Sequence, residues 1–172
     1  MAETSEAPLK AGDGVQDFVL EALNGGTYST LQARKAGLLL VLIFRSGCDT
    51  CQCSAPYFQR FQELYASKSD GNFQILGVSQ DNAKKSEDFA QQHRLTFPIL
   101  LDSMLEVAER YAITNVPNLY LLDGRDTIVE AITGHFSIKR FNDLARQIAQ
   151  FLEVAYVPVV SETDRVPDMK PG

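Results

Sequence analysis

The 172-residue chain lacks a basic excess, a long apolar run and any spread of cysteines along its length. Each absence removes a class of function. Lysine and arginine number 16 against 22 aspartates and glutamates, a net charge of −6, so no positive surplus exists to neutralise nucleic-acid phosphates or anionic lipid. The longest apolar run, Gly37 to Phe44, is eight residues, whereas a membrane-spanning helix needs ~20. The first 30 residues show neither a positive n-region nor an apolar h-region, so no signal peptide is visible. Internal repeats and low-complexity blocks are absent too. The hydrophobic fraction of 45% and charged fraction of 22% fit one globular domain with a core that needs no disulfide staples. A soluble, cytoplasmic protein is expected, the alternative being an exported one whose leader has been removed.

What is present is concentrated. All three cysteines, Cys48, Cys51 and Cys53, fall within six residues. A structural disulfide framework spreads its cysteines to close long loops, so clustering points to redox chemistry or metal binding.

Around the cluster the chain reads as alternating elements. Residues 1 to 14 are small and polar and are expected to form a mobile lead-in. Phe18 to Leu20 and Thr27 to Ser29 flank the turn signal Asn24-Gly25-Gly26, a hairpin pattern. Leu31 to Lys35 reads as a short helix capped by Ser29 or Thr30. Leu38 to Phe44 is apolar at every position and reads as a strand covered on both faces. From Asp49 to Lys68 the spacing is helical, with Pro56 inside. Phe73 to Val78 is a strand, Asn82 to Arg94 an amphipathic helix, Phe97 to Leu101 extended and Ser103 to Tyr111 a helix. Asn118 to Leu122 and Thr127 to Ile132 are strands joined by Asp123-Gly124-Arg125-Asp126. Phe141, Leu144, Ile148 and Phe151 stripe a last helix capped by Ser137. After residue 152 periodicity ends, and residues 153 to 172 are expected to be extended or disordered. The order implies an α/β sandwich with a mixed sheet spanning residues 15 to 152.

Cys48-Asp49-Thr50-Cys51 sits where the buried strand ends and a helix begins. A thiol there faces unpaired N–H groups and the positive end of the helix dipole, which favour the thiolate. Asp49 opposes that thiolate, and the helix N-terminus and Arg45 support it, so the site is expected to act as a reductant or exchange site rather than a strong oxidant. Cys53 points ~200° around the helix from Cys51 and reads as a small, half-buried apolar residue.

Phe44-Arg45-Ser46-Gly47-Cys48-Asp49-Thr50-Cys51, with Pro56 five residues after Cys51, resembles the thioredoxin active-site segment. Val116-Pro117 ahead of Asn118 resembles the cis-proline loop that faces it. Leu9 to Asp13 with Asp17 to Leu20, and Gly77-Val78-Ser79 with Phe97 to Asp102, are similar to the redoxin branch: the alkyl hydroperoxide reductase/thiol-specific antioxidant proteins and the TlpA/ResA-type oxidoreductases. The resemblance implies a thioredoxin-like fold with a central mixed β-sheet flanked by helices, an N-terminal β-hairpin and a strand–helix insertion over Phe73 to Arg94. It implies a thiol–disulfide oxidoreductase with Cys48 as the attacking thiolate and Cys51 as the resolving thiol. Val116, Pro117, Phe44 and Arg45 would form the substrate side of the site. The partners would be a protein or small-molecule disulfide and a thiol electron donor. Neither a cofactor nor a metal is implied, since the electrons reside in the dithiol.

Departures from the resembled pattern are specific. Phe44 and Gly47 stand where tryptophans are common, and the chain has no tryptophan. Leu42 and Ser54 stand where related proteins carry a buried aspartate or glutamate that handles the second cysteine's proton. The main rival is a peroxiredoxin with Cys48 as the peroxidatic cysteine. That family places Thr or Ser where this chain has Arg45, with Ser46 one residue off register. A copper-binding, Sco-like module would draw on the cysteines with His93 or His135, but its cysteine spacing differs from the one here.

Overall fold

A computed structural model describes residues 7 to 166 of the chain. Its centre is β3 (Leu38–Phe44), buried at all seven positions, as an all-apolar strand must be if both of its faces are covered. β4 (Phe73–Ser79) runs parallel to it on one side over seven paired residues, and β5 (Ile99–Leu101) is parallel to β4. On the other side β6 (Asn118–Leu122) and β7 (Glu130–Thr133) are antiparallel, giving a five-stranded sheet in the order β5-β4-β3-β6-β7. A separate hairpin, β1 (Val19–Glu21) with β2 (Thr27–Ser29), hangs on the β5 edge through Leu23 N–H to the Ile99 carbonyl at 2.9 Å.

Among the described residues five α-helices flank this sheet: α1 (Thr30–Ala36), α2 (Asp49–Leu64), α3 (Ala83–Gln92), α4 (Glu106–Arg110) and α5 (Ile138–Leu152). Three begin on the caps their sequences offer, with Ser29 accepting from Gln32 N–H, Asn82 from Lys85 N–H and Ser137 from Arg140 N–H. α2 and α5 pack together through Phe58, Phe61 and Phe141. On the opposite side of the sheet Phe18, Tyr111 and Tyr120 form an edge-to-face series. The fold is thioredoxin-like: a mixed sheet between helices, with an N-terminal hairpin.

The strand–helix unit Phe73 to Arg94 is built into the sheet rather than added to it, because β4 pairs with the central strand along its whole length. α4 begins later than the helix expected over Ser103 to Tyr111. Leu105 is left-handed (φ 59°), and the buried Asp102 carboxylate accepts the Val107 and Ala108 N–H groups, which starts the helix at that point. β7 likewise begins at Glu130 and not at Thr127. The intervening residues pair instead with the lead-in, Gly12 N–H to the Ile128 carbonyl at 2.9 Å and Ile128 N–H to the Asp13 carbonyl at 2.8 Å.

Both described end segments make contacts with the domain. Leu9 is 6% exposed, and Gly12 and Asp13 pair with Ile128, so this part of the expected lead-in packs against the domain. After α5 the chain is extended but not loose. Val159 and Val160 are buried, Arg60 of α2 forms a two-toothed ion pair with Asp164, and Asn142 exchanges two hydrogen bonds with Val160. The remaining parts of the expected lead-in and tail, 1 to 6 and 167 to 172, lie outside the described residues.

Candidate active site

The C-terminal end of β3 delivers the chain through Arg45, Ser46 and Gly47 to Cys48, which is the N-cap of α2. In place of the usual cap oxygen, the Cys48 Sγ accepts the Cys51 N–H at 3.1 Å. Its sulfur also lies 3.6 Å from the Val116 carbonyl oxygen, to which the thiol donates. Cys48 is 2% exposed and Cys51 0%, and neither is in a disulfide.

Burial, then the contact with Cys48, pushes the Cys51 thiol well above the ordinary thiol range, and the Arg45 backbone and charge oppose this only in part. Leu42 and Ser54 are both fully buried, and the Ser54 hydroxyl donates to the Thr50 carbonyl at 2.6 Å. Neither position offers Cys51 a carboxylate. Cys53 is half-buried.

The residues expected on the substrate side separate into a floor and a wall. Phe44 is fully buried, its ring stacked on Phe89 of α3 with centroids 4.7 Å apart, so it supports the site from beneath and presents nothing to a substrate. Gly77 of β4 makes room for that stack, since a Cβ there would meet Phe97 at 3.0 Å and Phe44 at 3.2 Å. Arg45 is exposed, and its carbonyl accepts the Cys48 N–H at 3.3 Å. The Val116–Pro117 peptide is cis, and both residues are buried, with the Val116 carbonyl at the Cys48 thiol. A shallow depression lined by Arg45, Gln80, Thr114, Asn115 and Val116 opens beside them. A cavity of about 410 Å³ lies instead at the far end of α2 against Tyr65 and Val157, with no cysteine in its lining.

Three polar residues that the sequence did not single out hold these loops. The Asn118 amide donates to the Asn115 carbonyl at 2.7 Å and accepts the Gly134 N–H at 3.0 Å, which fixes the strap before β6. Asp81 Oδ2, just after β4, accepts the Ser46 N–H at 2.6 Å, while the Gln52 amide donates to the Ser46 carbonyl at 2.8 Å. The one sequence signal for Gln52 is its place between Cys51 and Cys53, and Asp81 lies 35 residues from its partner. The histidines stand apart from each other. His93 Nε2 is 2.6 Å from Gln52 Oε1, and His135 Nδ1 is 2.9 Å from the Thr133 carbonyl. Burial holds the His93 ring below the ordinary imidazole range. Among the described residues no three His, Cys, Asp or Glu side chains converge into a group that could hold a metal ion.

A strand–CxxC–helix unit facing an X–Pro loop, on a mixed sheet of this order, defines a thioredoxin-like thiol-redox protein. More narrowly, residues 11 to 131 match the AhpC/TSA family, and the chain belongs to it. The thiol–disulfide oxidoreductase ResA of Geobacillus thermodenitrificans is 30% identical over 132 residues, 76% of this chain and 74% of that protein. The thioredoxin-like protein YneN of Bacillus subtilis is 30% identical over 138 residues, 78% of each chain. Among solved structures, a thiol:disulfide interchange protein DsbE from Chlorobium tepidum superposes with a TM-score of 0.72 at 23% identity, over 84% of this chain and 99% of that one. The chain is thus an oxidoreductase of the thiol–disulfide kind, and the peroxiredoxin alternative has less support.

Proposed function

We propose that this oxidoreductase works through Cys48 and Cys51 on protein disulfides. The observation that carries the reading is the Cys48 sulfur held at the start of α2 by the Cys51 N–H and facing the Val116 carbonyl. The Cys48 thiolate attacks one sulfur of the substrate disulfide, forming a mixed disulfide and releasing the other sulfur as a thiolate. Cys51 then attacks the Cys48 sulfur. Its own proton goes to the departing thiolate, since Leu42 and Ser54 provide no carboxylate to take it. The products are two substrate thiols and a Cys48–Cys51 disulfide. A thiol donor restores the dithiol by the reverse exchange. The extended segment around the substrate cysteine lies along Val116, with Arg45 at its open side.

The test is trapping. Cys48→Ser abolishes turnover of a protein disulfide, while Cys51→Ser accumulates a mixed disulfide through Cys48 that survives non-reducing electrophoresis. Full turnover by Cys48→Ser overturns the assignment. Membership of the AhpC/TSA family supports peroxide reduction as the second reading. Oxidation of Cys48 by hydrogen peroxide orders of magnitude faster than that of an ordinary thiolate would put that reading first.

A further inference from the structure

Ser46, two residues before the nucleophile, has both of its backbone polar groups held by side chains from other elements. Its N–H donates to Asp81 Oδ2 at 2.6 Å and its carbonyl accepts from Gln52 Nε2 at 2.8 Å. Each holding group is itself held. Gln52 Oε1 is met by His93 Nε2 at 2.6 Å and by Gln92 Nε2 at 3.1 Å, so the C-terminal end of α3 fixes the amide of Gln52. Asp81 is placed by the turn after β4, where its N–H donates to Ser79 Oγ at 3.2 Å and Ser79 Oγ in turn accepts from Ser86 Oγ at 2.7 Å. The Arg45-to-Cys48 loop is therefore gripped between β4, the N-terminal end of α2 and α3. The grip coexists with two free thiols, with the Cys48 sulfur accepting the Cys51 N–H.

We infer that Asp81 and Gln52 are positioning residues for the thiol chemistry, clamping the Ser46 peptide so that the loop keeps the arrangement of the dithiol form. The inference rests on the proposed Cys48–Cys51 function and adds to it a control on the redox equilibrium. A contact made more fully in one redox form stabilises that form, so cutting it moves the couple toward the other. One hydrogen bond lost from the dithiol shifts the equilibrium constant by about threefold to tenfold, and the bond to the Asp81 carboxylate falls toward the upper end. Because the clamp is made in the form whose Cys48 and Cys51 are unpaired, the inference is that its loss favours the disulfide and makes the protein a stronger reductant. Asp81→Asn keeps an acceptor for the Ser46 N–H and retains most of the wild-type behaviour.

The experiment equilibrates wild type, Asp81→Ala, Asp81→Asn and Gln52→Leu with glutathione and glutathione disulfide and quantifies the two protein forms after acid quenching. In that exchange one glutathione disulfide becomes two glutathione thiols as the protein dithiol becomes its disulfide. Thermal unfolding of each variant is followed in parallel. The expected result is a constant displaced toward the disulfide by about threefold or more in Asp81→Ala and Gln52→Leu, with Asp81→Asn near wild type. Constants within twofold of wild type, or displaced toward the dithiol, overturn the clamp, even if melting temperatures fall, because a purely structural role lowers stability without moving the couple. If Asp81→Ala does not fold, Gln52→Leu decides alone. A wild type that forms no Cys48–Cys51 disulfide defeats the parent function, whereas a wild type that forms it and variants that match it defeat only the clamp.

Discussion

Arg34 and Cys51 are both withdrawn from water, at 3% and 0% exposure, yet their surroundings are opposite. Arg34 is saturated. Its guanidinium donates to both Asp17 carboxylate oxygens, at 2.9 and 2.7 Å, and to the carbonyls of Asp123 and Arg125 in the β6–β7 turn. Burial opposes ionisation of Asp17, but the bonds from Arg34 and Thr30 outweigh it and hold the carboxyl below its ordinary range. Cys51 has little to favour its charged form beyond the Arg45 backbone and charge, and burial drives it toward the neutral thiol. A buried polar group with every bond made locks the fold. A buried thiol kept neutral is a stored reactant, released when a neighbouring mixed disulfide gives it a target. The comparison separates groups that stabilise from groups that are kept in reserve.

The largest effect expected from this contrast is on Cys51 reactivity. In Cys48→Ser the remaining pair thiol stays buried and protonated, so an alkylating reagent at neutral pH reacts with Cys51 more than about a hundredfold slower than in the unfolded chain. Mass-spectrometric mapping distinguishes it from the half-buried Cys53, which reacts first. Comparable rates for the two thiols in the folded variant would mean that Cys51 is not held in reserve.

Next in size is the loss of the Arg34 knot. Arg34→Met leaves Asp17 without its main partner and two carbonyls without donors, a cost of about 3 kcal/mol for a broken, largely buried pair. Denaturant unfolding measures it, and the glutathione equilibrium of the dithiol stays at its wild-type value. The same variant also has a pH signature. A depressed Asp17 pKa contributes stability that is present above the unfolded value near ~3.9 and is lost as pH falls through the folded one. Wild type therefore loses this increment in acid below about pH 4, while Arg34→Met has already lost it and shows a shallower acid slope. An unchanged slope would assign the knot's stability to packing rather than charge.

The two regions also differ in how far the sequence revealed them. The thiol pair was legible because its chemistry is local: Cys48 and Cys51 are one helical turn apart, and the strand before them is apolar at every position. The caps Ser29 and Ser137 were legible for the same reason, while Asn82, read as the first residue of its helix, proves to be its cap. Arg34 was read only as part of a short helix, since its partners lie 17 residues before it and about 90 after it, beyond any periodicity. Asp81 and the docked Val159–Val160 segment escaped notice likewise, their partners being set by how the layers meet. Phe44 was placed on the substrate side by the resemblance of the Phe44-to-Cys51 segment. Both faces of β3 are covered, and α3 buries the Phe44 ring against Phe89 instead.

Tyr120 supplies a third case and the smallest predicted effect. It is fully buried, and its hydroxyl is the one buried side-chain polar atom among the described residues with no hydrogen-bond partner. Its neighbour Tyr111, with ring centroids 5.1 Å away, donates to the Gln16 carbonyl at 2.7 Å and so has what Tyr120 lacks. Burial alone pushes the Tyr120 phenol well above its ordinary range. Unlike Cys51, this group is a phenol packed against Tyr111 and has no exchange reaction to wait for. Its missing bond is then a cost with no return, and Tyr120→Phe removes the cost while keeping the ring and its edge-to-face contact. Unfolding free energy should rise by about 1 kcal/mol, with the dithiol equilibrium unmoved. A fall of that size would mean the hydroxyl is bonded in solution, and Tyr120 would then belong with Arg34 among the groups that lock the fold.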